Sequence, residues 1–390
     1  MLKRKELCVT RFFFCILVMI WACCPIAFAV EAPALSQPEV ARLIIGAEKN
    51  VKEPKGWAAD LLDVLKLHDL TASKENICAA IAVIDQESSF VANPAVAGLG
   101  KISEAALRAK MDRVPVLGRL ALRFLETTPS KSDNYLARVR SARTERDLDL
   151  TFRAMVADAA KQSSLGIIVN SGLLNKQIEG RNEIDTIGSM QVSVDFALEV
   201  ARRRRWLPMS LDDVYALRDE LYTRHGGMYY GVLLLLGYET GYDRKLYRFA
   251  DFNAGRYASR NAALQRQIAE LSGEALATDG DLLLYDSDGK VKDAASKSEK
   301  ALRKALQGSS FELTDEDIHK DLLREKENRF VQTLTYSALR ATYEKATGIK
   351  PAYAMVPNIA LTSPKIRSKM TTKIFAESVN RRYQSCMARK

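Results

Sequence analysis

Among the residues able to do chemistry, Glu87 has the most informative setting. The stretch Ile77-Cys78-Ala79-Ala80-Ile81-Ala82-Val83-Ile84 is apolar on every helical face and runs directly into Asp85-Gln86-Glu87-Ser88-Ser89-Phe90. A helix apolar all round is buried. It therefore carries a carboxylate from the core to a boundary, where desolvation raises the carboxyl pKa and keeps the proton on at neutral pH, as a general acid requires. The plain alternative is a helix end meeting solvent, and Glu87 alone does not decide between the two.

Other chemistries fail on spacing. The three histidines, His68, His225 and His319, are scattered and form no HExxH pair, so no metal site is expected and no cofactor is called for. No GxSxG elbow occurs, and Gly98-Leu99-Gly100-Lys101 lacks the first glycine of a phosphate loop, its place being taken by Ala95. Asp286-Ser287-Asp288-Gly289 lacks the distal ligands of a calcium loop and reads as a hairpin turn between Leu282 to Tyr285 and Lys290 to Lys292.

Two further segments join Glu87. Gly188-Ser189-Met190-Gln191-Val192 is read as opening a helix, and Ala250-Asp251-Phe252-Asn253-Ala254-Gly255 as closing another. With Glu87-Ser88-Ser89-Phe90 and Asn93-Pro94-Ala95, they resemble, in order, the three signatures of the lysozyme-like lytic transglycosylases and goose-type lysozymes. The resemblance spans roughly residues 74 to 270. The rest of the chain is similar to a family of uncharacterised bacterial envelope lipoproteins.

The resemblance implies an all-α, lysozyme-like fold acting on peptidoglycan glycan strands. By position, Glu87 becomes the catalytic acid and base, which protonates the glycosidic oxygen and then takes the proton of the C6 hydroxyl as a 1,6-anhydro ring closes. Ser88 would bond the sugar or orient Glu87, Met190 would pack on the glycan, and Gln191 and Asn253 would hold N-acetyl groups or the Glu87 carboxylate. Tyr257 is a platform for a sugar ring or a core residue. The departures bear on mechanism: Phe252 stands where the superfamily has Tyr, and Asp251 replaces a small residue. Ser193 occupies the position of a goose-type Asp, which favours a transglycosylase over a hydrolase, with Asp185 and Asp251 as candidate second carboxylates. The alternatives are a catalytically inactive peptidoglycan-binding lipoprotein and an interaction protein whose basic helical surface meets membranes or peptides.

The elements that must position these residues are nearly all helical. Apolar spacing of three and four predicts helices over 38–48, 56–67, Thr71 or Ser73 to Glu87, 103–125, 144–165, 187–205, 211–224, 227–240, 258–272 and 315–345, with one more at the C-terminus. The expected organisation is a leader over 1–29, N-terminal helices over 30–73, a lysozyme-like domain over 74–285 with an insertion at 101–184, and a helical extension over 286–390.

Composition sets the compartment. The chain has 390 residues, 47% hydrophobic and 27% charged, which excludes disordered and low-complexity classes. Lys3, Arg4, Lys5 and Arg11 precede an apolar run from Phe12 to Ala29 that ends in the small-x-small site Ala27-Phe28-Ala29, the pattern of a secretory signal. Ile20-Trp21-Ala22-Cys23 resembles a lipoprotein box with Cys23 as the acylated residue, so periplasmic release and anchoring to the outer membrane through a lipid both stand. Export removes nucleic acid as a partner, despite Arg202 to Arg205, which reads as a solvated helix end, and the formal net charge of +10 suits an anionic envelope polymer or surface. Beyond the leader, Cys78 and Cys386 are the thiols that remain, either paired or, for Cys78, comfortable as a buried free thiol.

Overall fold

A computed structural model describes residues 33–389, apart from 114, 163–181, 287–288 and 362–369. The leader 1–29, Cys23 and part of the insertion lie outside the described residues. The described chain is predominantly helical. In order it forms α1 (Gln37–Ala47), α2 (Pro54–Leu67), α3 (Lys74–Ser88), α4 (Leu99–Asp112), α5 (Pro115–Thr127), α6 (Tyr135–Ser141) and α7 (Glu145–Gln162). A two-stranded hairpin, β1 (Thr186–Ile187) and β2 (Val192–Ser193), leads into α8 (Val194–Arg203), α9 (Leu211–Leu221), α10 (Arg224–Leu236), α11 (Lys245–Ala254) and α12 (Ala258–Ser272). Then come α13 (Lys297–Leu306), α14 (Asp315–Leu322), a 3-10 turn (Asn328–Gln332), α15 (Leu334–Thr347), a second hairpin of β3 (Ala360–Leu361) and β4 (Met370–Thr371), and α16 (Thr372–Ala388).

The all-round apolarity of α3 has its expected consequence. Every residue from Ile77 to Ile84 is 0 or 1% exposed. Ser73 caps the helix by accepting from the Asn76 amide at 3.3 Å, and α1, α10 and α16 pack around it. Residues Ala34–Lys390 form one compact unit, and its cores involve no residue before Leu35. The first core is built from α1, α2, α3, the first hairpin, α8 to α11 and α16. A second joins α12, Leu282, Leu283 and α13 to α15, and a small third one holds α4 to α7 together.

Two expectations about organisation change. Neither 30–73 nor the end of 286–390 stands apart, because α1, α2 and α16 all contribute buried side chains to the core that contains α3. A disulfide between Cys78 and Cys386, Cα atoms 5.6 Å apart, joins α3 to α16. Nor is 315–345 one helix. The buried guanidinium of Arg260 takes the carbonyls of Glu325 and Glu327 in the break between α14 and the 3-10 turn. The Glu325 carboxylate meanwhile accepts the amides of Leu282 and Leu283. The hairpin predicted around Asp286 is present as a bridge between Tyr285 and Val291, with Gly289 at φ +72°.

Candidate active site

Three consecutive polar residues leave the C-terminal end of α3, and two are tied to α16. Asp85 Oδ2 receives Arg382 Nε at 2.9 Å, and Gln86 Oε1 receives the Ser378 hydroxyl at 2.7 Å. Glu87 is left over: partly exposed, its carboxyl makes no hydrogen bond among the described residues. The chain then turns sharply through Ser89 and Phe90, both left-handed at φ 49° and 61°, a conformation that non-glycine residues seldom adopt. Phe90 is held edge-on against Trp57, ring centroids 5.3 Å apart.

The loop after this turn recruits the insertion. Ala95 bridges Thr144, and the Val96 amide donates to the Arg143 carbonyl at 2.9 Å. This fixes the start of α7, where Thr144 and Asp147 cap one another: Asp147 N donates to Thr144 Oγ1 at 3.2 Å, and Thr144 N to Asp147 Oδ2 at 2.8 Å. Glu145 is the first helical residue and is only 4% exposed. Its Oε2 accepts from Gln191 Nε2 at 3.3 Å. Burial, and after it the charge of Glu145, push the Glu87 carboxyl up to about 7. The two carboxyls are thus electrostatic neighbours although their elements lie far apart in sequence.

One turn beyond Glu145, the fully buried Asp149 accepts from Arg218 Nε at 2.7 Å and Asn182 Nδ2 at 2.7 Å, and also pairs with Arg153. Arg218 donates in addition to the Ile184 carbonyl at 2.8 Å. These bonds clamp α7 to α9 and to the chain entering β1, so the insertion is part of the site's wall. Buried polar atoms without a hydrogen-bond partner occur on three segments of this region: Asn93 Oδ1, Ser189 Oγ and Tyr222 Oη.

The Gly188 to Gln191 segment is the turn of the β1–β2 hairpin, not the opening of a helix. Gly188 at φ +85° and Gln191 at φ 48° reverse the chain. Gln191 has every polar atom of its amide engaged, since Oε1 accepts from Thr186 Oγ1 at 3.0 Å and Nε2 also reaches the Gly188 carbonyl at 3.3 Å. It holds Glu145 in place.

Several residues assigned to substrate point elsewhere. Ser88 is buried, its hydroxyl within reach of the carbonyls of Ile84 (3.1 Å) and Ser189 (2.8 Å), so it fastens α3 to the hairpin turn and does not orient Glu87. Met190 is 0% exposed and fills the room left by Gly231, where a Cβ would fall 2.3 Å from its sulfur. Tyr257 is 4% exposed, its ring covered by the Arg260 guanidinium at 4.4 Å and its hydroxyl given to the Glu239 carbonyl. No face is free for a sugar. Asp251 is 1% exposed and accepts from the Tyr242 and Tyr238 hydroxyls and from the Tyr257 and Ser259 amides at 2.7 to 3.1 Å, so it is a structural knot between α11 and α12. Asp185 is exposed beside β1, and its carboxylate has no partner among the described residues; Asn253, exposed at the end of α11, makes no side-chain hydrogen bond to Glu87 or to any other described residue.

Sequence reasoning missed Glu145. Thr144 was legible as a cap, but nothing local marks the next residue as facing one 58 positions upstream. A cavity of about 340 Å³ adjoins the turn after Glu87, lined by Lys52, Trp57, Phe90, Val91 and Arg224 among others; Glu87 itself is not in its wall.

Fold and site define a predominantly α-helical protein in which a partly exposed carboxyl at the end of α3 feels the charge of a buried one at the start of α7. Residues 50–389 match the family described as "Protein of unknown function (DUF1615)", and the chain belongs to that family. It is 34% identical over 338 residues to the "Uncharacterized protein YaiW" of Escherichia coli (strain K12), an alignment that covers 87% of this chain and 86% of that protein. No solved structure matches it.

Proposed function

We propose that this is an exported bacterial envelope protein that cleaves the glycan strand of peptidoglycan in the manner of a lytic transglycosylase, with Glu87 as acid and base. The observation that carries the reading is the Glu87 carboxyl itself. It follows the fully buried Ile77–Ile84 stretch of α3, is free of hydrogen bonds among the described residues, and is pushed up to about 7, so much of it holds a proton at neutral pH. In the reaction that proton passes to the glycosidic oxygen as the C1–O bond breaks. The C6 hydroxyl oxygen then bonds C1, and its proton returns to Glu87. No water is consumed. Glu145, held by Gln191, places negative charge beside the acid, where an oxocarbenium-like sugar gains from it.

The alternative, a peptidoglycan-binding lipoprotein without activity, draws support from the absence of Glu87 from the wall of the neighbouring cavity. The experiment incubates the protein with purified sacculi and reads soluble products by mass. The parent should release anhydro-ended muropeptides, and Glu87→Gln should lower the rate about 100-fold to 10,000-fold while still sedimenting with sacculi. Binding without products would select the inactive reading. Undiminished activity of Glu87→Gln would remove Glu87 as the acid, and absence of both binding and products would remove peptidoglycan as the partner.

A further inference from the structure

Trp206 is 91% exposed and Leu207 55%, at the tip of the connection between α8 and α9. Scattered exposed apolar residues are ordinary on a protein surface. A tryptophan held almost wholly in water, directly after four consecutive arginines, is a different case. Burying it in its own fold would have been favourable by more than for nearly any other side chain.

The tip is held in place on both sides. Before it, Arg204 donates to the Tyr229 hydroxyl and lies over that ring at 5.3 Å, and the Arg204 and Arg205 amides continue the last turn of α8 with bonds of 3.2 and 3.1 Å. After it, Met209 is buried at 8% exposure, and Ser210 caps α9 through Asp213. Arg205 closes the loop with an ion pair to Asp213 at 3.0 Å. Among the described residues, Arg203 pairs only with the exposed Glu199, and Arg202 makes no ion pair. The result is an apolar tip held on both sides and directly preceded by four exposed arginines.

We infer that the Arg202–Leu207 tip docks the protein on an anionic lipid surface, with Trp206 and Leu207 entering the interface and the arginines meeting headgroup phosphates. Trp is the side chain that partitions best to the boundary between headgroups and acyl chains, and a cluster of arginines adds attraction to negative lipid. Charge and apolarity thus point to the same occupant. An oligonucleotide would use the arginines but gives Leu207 nothing to contact. The inference does not rest on the reading of Glu87.

The test uses the compact unit Ala34–Lys390, which omits the apolar leader and its Trp21, so the remaining indoles are Trp206 and the buried Trp57. It is titrated with vesicles of phosphatidylcholine alone or mixed with phosphatidylglycerol, at about 0.15 M salt, and tryptophan emission and co-sedimentation are followed. The expected result is a blue shift and quenching by lipids brominated in the acyl chains, with the anionic vesicles only. Trp206→Ala should lower affinity about tenfold or more, and Arg202→Gln about fivefold. Both side chains are exposed, so neither variant threatens the fold, and unchanged Trp57 emission in Trp206→Ala verifies this.

Absence of binding to anionic vesicles would overturn the inference. So would equal binding by Trp206→Ala. In that event loss of binding in Leu117→Asp or Leu120→Asp would transfer the surface to α5, where Val116, Leu117 and Leu120 are 62 to 67% exposed. Quenching of Trp206 by a single-stranded oligonucleotide, with no response to vesicles, would overturn it in favour of nucleic acid.

Discussion

A carboxyl held near pH 7 by its surroundings makes folding depend on pH, and the sign follows from where its proton resides. Unfolded, Glu87 titrates near 4.5; folded, near 7. Below about 4.5 both states carry the proton and the site has no net effect. As pH rises toward 7 the unfolded chain releases its proton while the folded one must keep it, so stability is lost across this window and stays lower above it. Glu325, also pushed to about 7 by burial, adds a loss of the same sign. Glu87→Gln removes the first loss. Urea denaturation should therefore show the variant more stable than the parent by about 1–3 kcal/mol at pH 8 and equal to it at pH 4. A gain of the same size at both pH values would assign the effect to packing and deny the shifted carboxyl. At this scale the sequence exposes Glu87, because eight apolar residues precede it, and hides Glu145, because its burial depends on a bridge between Ala95 and Thr144 that no local pattern encodes.

Among elements, those with a long period were readable and those without one were not. α3, α9 and α12 were expected within a few residues of their ends; Ser73 and Ser210 cap the first two, and apolar spacing of three and four with Gly273 just past the end marks the third. The β1–β2 hairpin has strands of two residues each, too short for any alternation to show, and the following α8 lent its helical period to the whole segment. The hairpin turn depends on Gly188. Its φ of +85° disfavours a side chain, and a Cβ there would sit 2.3 Å from the Leu221 carbonyl oxygen, a backbone atom that cannot swing aside. Gly188→Ala combines both conflicts and should destabilise the protein by about 2–4 kcal/mol in chemical denaturation. Because the same turn carries Gln191, it should also loosen Glu145 and lower any turnover of sacculi. A loss below about 1 kcal/mol would show that the turn relaxes freely, and the hairpin would then not be what sets the carboxyl pair.

At the scale of the whole molecule, the ends of the described chain are interleaved. Helix α1, backed by α2, from one end and α16 from the other close on α3, and this was invisible when the chain was divided into successive segments. Helix α16 buries Phe375, Ala376, Val379, Tyr383 and Cys386, a stripe at three-four spacing. Opposite it lies α3, whose Ile77–Ile84 stretch has no polar face to offer water. Removing residues 360–390 therefore exposes two apolar surfaces together. At about 1.5–3 kcal/mol for each large side chain, the loss of Phe375, Val379 and Tyr383 alone approaches the total stability of an ordinary domain, about 5–15 kcal/mol. Cys386→Ser leaves the stripe in place and removes only the crosslink, whose partners are 308 positions apart, a change expected to lower stability by about 2–5 kcal/mol. The two variants should thus differ in kind. Cys386→Ser should still melt cooperatively at a lower temperature, whereas the truncated chain should lose near-ultraviolet circular dichroism and bind a hydrophobic dye without any melting transition. A cooperative melt in the truncated chain would show that α1 and α10 suffice to enclose α3, and that α16 is an addition to the core instead of one of its walls.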